Sequence, residues 1–282
     1  VLVYRTRQAE PPGTKFTAGL MLCLPGRVAI ARPSANDHWQ DNTSIFRRGK
    51  TMQDKEFPNR LKLLEERLVA ACRRAGRDRS EISLLAVSKT RRPDELRAAH
   101  HHGLRCFGEN YLDEAAAKQD QLRDLAIEWH YIGPIQSNKT RALAERFDWV
   151  QSVDRLKIVR RLGEQRPATA APLNVLIQVN IDREPQKSGC APDQIEALAA
   201  AIGQWPSLKL RGLMAIPAPD RGQSALAASF EQMRECTDRL RRQAPGSIDT
   251  LSMGMSADLE MAIAHGATMV RIGTALFGAR TG

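Results

Sequence analysis

Eight short β-branched or apolar runs, the helical stretches between them, and a span of about 200 residues predict an α/β chain folded as a single (β/α)8 TIM barrel. The runs are Ile82–Val87, Arg105–Gly108, Ile127–Ile132, Trp149–Val153, Leu173–Val179, Leu208–Met214, Thr250–Ser252 and Met269–Ile272. The helices predicted between them cover Pro93–His102, Asp113–Leu125, Lys139–Phe147, Arg155–Leu162, Asp193–Ile202, Ser224–Arg242 and Asp258–Ala264, several opening on an N-cap residue or an early proline. A doubly wound open sheet is the alternative, but no glycine-rich dinucleotide or P-loop signature follows any run.

Ahead of the barrel, residues 1–51 mix Pro, Gly, Arg and isolated apolar residues with no period of 2 or 3.6. Met52 then opens an amphipathic helix, clearest over Asn59–Cys72 and ending near Gly76. Residues 1–51 are therefore expected to be a disordered or upstream extension, and 52–282 the barrel domain. A secretory signal is the competing view: Arg5, Arg7 and Lys15 precede an apolar stretch at Phe16–Leu24, although Pro25-Gly26-Arg27 interrupts it.

The 282 residues carry a net charge of +10, half of it in the first 51, where eight basic groups face three acids. The remaining excess is dispersed, with no basic stripe interleaved with aromatics, which argues against nucleic acid. No uninterrupted apolar run reaches the roughly 18 residues needed to cross a bilayer, which argues against a membrane protein. Cys23, Cys72, Cys106, Cys190 and Cys236 are scattered and form no C-x-x-C pair, against a disulfide scaffold or a structural zinc site. The expected location is cytoplasmic.

Barrel chemistry sits where the strands end. Lys89 follows the first run, where a low-dielectric interior favours the neutral amine and makes it a candidate Schiff-base former; a lysine snorkelling from the rim is the plainer reading. Ser252-Met253-Gly254-Met255-Ser256 follows the seventh run and precedes a helix, an arrangement of hydroxyls and backbone N–H groups suited to an anion. After the eighth, Arg271-Ile272-Gly273-Thr274 offers a close backbone approach at Gly273 and a helix start at Thr274. An amine after strand one and a phosphate cradle after strands seven and eight together suggest pyridoxal 5′-phosphate (PLP).

Ala86-Val87-Ser88-Lys89-Thr90, Phe107-Gly108-Glu109-Asn110-Tyr111, the stretch Trp129–Lys139, Arg211-Gly212-Leu213-Met214-Ala215-Ile216, Ser252–Ser256 and Arg271–Gly278 resemble, in order, the YggS/PROSC family of pyridoxal phosphate homeostasis proteins. The likeness runs from about Asn59 to Arg280. It implies a barrel akin to the N-terminal domain of alanine racemase that holds PLP as an aldimine on Lys89 and lacks established catalytic turnover. By that likeness Ser252, Gly254, Ser256, Gly273 and Thr274 hold the phosphate, and Arg271 faces the pyridine nitrogen. Asn110 at the end of strand two and Met214 at the end of strand six are further candidates to line the cofactor, with packing or hydrogen-bonding roles as their structural alternatives.

Alanine racemases read Lys-Ala-x-Ala-Tyr where this chain reads Lys89-Thr90-Arg91-Arg92-Pro93, so the tyrosine is missing. Their second tyrosine comes from a β-domain beyond the barrel, whereas this sequence reaches Gly282 a few residues after the eighth run. The expected function is PLP buffering and delivery, with PLP-dependent apo-enzymes and free amino acids as partners and a monomeric state. A low-efficiency PLP-dependent racemase is the enzymatic alternative. His130 is a further candidate near the cofactor. His100-His101-His102 is expected to be a solvated helix end, because consecutive helical residues point in different directions.

Overall fold

The computed structural model describes residues 52–218, 222–244 and 246–279, so both expectations for residues 1–51 lie outside the described residues. Eight parallel strands close into a barrel in sequential order: β1 (Ser83–Val87), β2 (Cys106–Glu109), β3 (Glu128–Tyr131), β4 (Trp149–Val153), β5 (Leu173–Val179), β6 (Leu208–Ala215), β7 (Thr250–Ser252) and β8 (Met269–Ile272). Closure is made by β1 on β8, with Leu85 opposite Arg271 and Ala86 opposite Ile272.

Helix α1 (Met52–Arg74) precedes the barrel; α2 (Pro93–His101), α3 (Leu112–Gln121), α4 (Thr140–Arg146), α5 (Leu156–Gln165), α6 (Ile195–Gly203), α7 (Gln223–Gln243) and α8 (Leu259–Ala264) link successive strands, and α9 (Thr274–Phe277) follows β8. Helix α1 stops in a Schellman motif: Gly76 takes φ +66°, Arg77 N–H reaches Cys72 O at 2.9 Å and Gly76 N–H reaches Arg73 O at 3.2 Å. Pro93 occupies the first turn of α2, where its missing N–H costs nothing, and the Arg92 N–H is taken by the Glu95 carboxylate at 2.8 Å.

Strand residues alternate between two environments. Ala86, Phe107, Trp129, Val150 and Val175 join the large core shared with the helices. Their neighbours face the barrel interior, where Leu85, Ile132 and Met269 form one apolar group and Trp149, Leu176 and Met214 another. Burial on both faces explains why the strands read as nearly continuous apolar runs. Among the described residues no helix is long and apolar enough to cross a membrane.

Candidate functional site

Lys89 lies two residues beyond Val87, at the C-terminal end of β1. The backbone on both sides of it is pinned from α3. Lys118 Nζ donates to Ser88 O at 2.7 Å, and the Glu114 carboxylate accepts the N–H of Thr90. Thr90 sits at φ +63°, a conformation that a β-branched residue rarely adopts and that needs such fastening. Beneath the turn, Lys118 is bonded to both Glu109 and Glu114, at 2.7 and 2.6 Å, and Ser88 Oγ donates to Glu109 at 2.6 Å. Burial pushes the Glu109 carboxyl up, against the pull of Lys118.

The loop after β7 is tied to β8, and the loops after β7 and β8 are both tied to α1. Arg271 N–H donates to Gly254 O at 2.9 Å, while the Met255 N–H and the Asp258 carboxylate close the turn between Gly254 and α8. From α1, Arg67 reaches Ser256 O at 3.2 Å and pairs with Glu260, and Arg60 reaches Phe277 O at 2.9 Å. Arg91 holds the far side of α9 through Gly278 O and lies over the Phe277 ring. Helix α1 is thus a brace for both loops.

Arg271 projects into the barrel and is almost fully buried. Its guanidinium donates to Ser252 O and Ser252 Oγ, both at 2.8 Å, and to Ala215 O at 2.7 Å. Burial lowers its pKa to about 10, which still leaves a cation at neutral pH. Ser252 is buried, and its hydroxyl is engaged by Arg271 and by Gln151 Oε1 at 2.8 Å. Met214, opposite Ser252 in register, is fully buried against Trp149 and Leu176. Gly254 is buried at φ +94°, and a Cβ there would lie 2.5 Å from the Ala262 Cβ, so this glycine lets the turn lie on α8. Ser256 is half-buried, Gly273 lies beside Val87, and Thr274 opens α9 in an exposed position.

Asn110 stands one residue after β2, and its Oδ1 is buried without a hydrogen-bond partner among the described residues. The Asn110 backbone is approached by Gly133, where a Cβ would come 2.1 Å from Asn110 O. Asn110 also lines a cavity of about 310 Å³ at the barrel mouth, together with Ile132, Gln178, Asn180, Lys187 and Ile216.

The structure therefore joins Ser252, Gly254 and Arg271 by direct hydrogen bonds, sets Gly273 beside Val87 at the end of β1, and puts Asn110 just after the neighbouring strand. The consecutive histidines do not converge: His100 reaches Ala126 O and His102 rests on the Phe57 ring. Sequence reasoning missed the Arg60 and Arg67 brace, the Lys118 anchor and the partner of Ser252, Gln151. No local signal marks them.

The barrel and the position of this site define the class. Residues 61–281 match the family described as alanine racemase, N-terminal domain. The pyridoxal phosphate homeostasis protein of Pseudomonas aeruginosa is 59% identical over 214 residues, covering 76% of this chain and 91% of that protein. Its counterpart in Escherichia coli is 49% identical over 231 residues, covering 80% and 97%. PipY of Synechococcus elongatus, solved with PLP bound, superposes with a TM-score of 0.65 at 38% identity, over 70% of this chain and 93% of that one. D-threonine aldolase from Filomicrobium marinum shares the fold, with a TM-score of 0.63 at 18% identity over 79% and 60% of the two chains. The chain belongs to the pyridoxal phosphate homeostasis protein family.

Proposed function

We propose that residues 52–282 form one PLP-binding barrel domain that holds the cofactor through Lys89 and serves PLP buffering and delivery without catalytic turnover. The observation that carries this is the gathering at one barrel end of Lys89 after β1, the Gly254–Ser256 turn after β7 and the Gly273–Thr274 start of α9, around the buried cation Arg271. The residues fit the group in one further respect: Asn110 Oδ1 is a buried acceptor with no hydrogen-bond partner among the described residues.

When bound, PLP supplies an aldehyde that condenses reversibly with amines and a ring that withdraws electrons. Lys89 offers the amine. Ser256, Gly273 and Thr274 offer hydroxyl and backbone donors for the phosphate, with Gly254 shaping the turn. The Ser252 hydroxyl, engaged by Arg271 and Gln151, is better suited to holding Arg271 than to facing the phosphate. Arg271, a buried cation, would disfavour protonation of the ring nitrogen if it faced that atom, and so would weaken the electron sink. Met214 supports the floor of the site through Trp149 and Leu176. Where alanine racemases carry a tyrosine four residues after the lysine, this chain has Pro93 in the first turn of α2, which can carry no proton.

Apo-enzymes depleted of PLP and free amino acids are the partners this function needs. Incubating the PLP-loaded protein with a PLP-depleted enzyme and, separately, with an amino acid in D2O tests the proposal. Restored activity in the recipient with no α-proton exchange is expected; exchange or racemisation with turnover would replace the carrier by a catalyst.

A further inference from the structure

Gln151, His130 and Glu128 are polar side chains that the binding site leaves unused, and they form one continuous chain with Arg271 and Ser252. Arg271 Nη1 lies 2.8 Å from Ser252 Oγ, Ser252 Oγ 2.8 Å from Gln151 Oε1, Gln151 Nε2 3.0 Å from His130 Nδ1, and His130 Nε2 2.9 Å from Glu128 Oε1. It starts on β8 and β7 at the C-terminal end of the barrel, passes through β4 and finishes at the first residue of β3, where Cys106 also faces Glu128 at 3.4 Å.

The two ends of this chain dictate its direction. A guanidinium has only donors, so Ser252 Oγ accepts from Arg271, and the serine keeps its single proton for Gln151 Oε1, the acceptor it faces. Gln151 must then turn its carbonyl oxygen to Ser252 and its amide NH2 to His130. The thioether of Met269, 3.2 Å from Gln151 Nε2, supports the same orientation, because sulfur is a weak acceptor and no donor. His130 Nδ1 therefore accepts, and the imidazole proton lies on Nε2, aimed at the Glu128 carboxylate, which only accepts. Reversing the chain would turn Gln151 Oε1 toward His130 and the Met269 sulfur, and would require a doubly protonated imidazole inside the barrel, where the His130 side chain is fully buried. The same direction disfavours a metal ion among Cys106, Glu128 and His130, although their ligating atoms lie within 4.8 Å of one another, since the imidazole nitrogen facing Glu128 carries its proton.

We propose that Gln151 is a positioning residue for Arg271, holding the guanidinium through Ser252 in a one-way hydrogen-bond chain that keeps His130 neutral with its proton on Nε2. The positioning role rests on Arg271 facing the cofactor ring; the direction of the chain does not.

Nitrogen-15 NMR of the labelled protein without added PLP reads the direction. The His130 signals, among those of six histidines, are assigned by their loss in His130→Asn. A single Nε2–H tautomer at neutral pH is expected; an Nδ1–H tautomer or an imidazolium overturns the chain. Gln151→Met removes the polar link at similar volume. It is expected to weaken PLP binding about tenfold and to move the pH profile of the visible band of bound PLP, with Ser252→Ala doing the same from the other side of the link. If both variants bind PLP with wild-type affinity and an unchanged band profile, the positioning role is wrong. Should wild type show the Nε2–H tautomer but no PLP band, the binding proposal and the positioning role fall together while the direction of the chain stands.

Discussion

Replacing Lys118 by methionine strands a carboxylate inside the molecule. The Lys118 and Glu109 side chains are 4% and 0% exposed, and the ammonium spends its three protons on Ser88 O, Glu109 Oε1 and Glu114 Oε1. Without it Glu109 keeps, among the described residues, only the Ser88 hydroxyl, since its Oε2 has no partner there to begin with. Breaking one side of a buried pair costs about 3–5 kcal/mol, because the surviving charge loses its counterion but stays desolvated. Urea unfolding of Lys118→Met is expected to show a loss in that range. Adding Glu109→Gln removes the stranded charge and is expected to recover part of it, giving a coupling energy of about 2–3 kcal/mol in a double-mutant cycle. The same lysine fastens the peptide before Lys89, so Lys118→Met also weakens PLP binding. A loss under about 1 kcal/mol, or two single costs that simply add, would refute the view that this pair holds the Lys89 turn.

Other consequences are as specific. Gly254→Ala forces a Cβ against Ala262 at a positive φ and is expected to cost about 1–3 kcal/mol and lower the melting temperature, together with PLP affinity. His130 is buried and held below its ordinary 6.5, so the unfolded chain takes up a proton that the native state refuses. Stability should therefore fall as pH drops below about 6.5, by about 1.4 kcal/mol per unit, with a shallower fall in His130→Gln; equal slopes in urea titrations would contradict this. Glu128, drawn down to about 2 first of all by its bond to His130, contributes stability that is present above its ordinary 4.5 and lost as pH falls toward 2. Burial pushes the Cys106 and Cys190 thiols up to about 12 and raises those of Cys72 and Cys236, so mass-spectrometric mapping with a thiol reagent at neutral pH should find all four slow until the protein unfolds.

The strands were the most legible part of the sequence. Runs such as Leu173–Val179 and Met269–Ile272 match the observed bounds because strands packed on both faces leave an unbroken apolar signature. Helix ends were less so: α3 stops at Gln121, while Leu122 and Leu125 continue the apolar period in a turn beyond it. Among the candidate site residues, Lys89 just after β1 and Arg271 within β8 are legible in the sequence because their neighbours are recognisable. Arg60 and Arg67 could not, since on α1 they read as a solvated charged face, yet they reach residues 217 and 189 positions away. Ser252 shows the same limit. Its place at the end of a strand suggests an anion site, but its hydroxyl meets Gln151, 101 residues earlier, inside the barrel.

Anchorage of PLP by Lys89 is tested most directly by the visible spectrum of the protein with added PLP, before and after borohydride, in wild type and Lys89→Ala. A yellow band that borohydride converts into a covalent adduct, mapped by peptide mass to Lys89 and absent from the variant, is the predicted result. No band in wild type, or an equal band in Lys89→Ala, would contradict it.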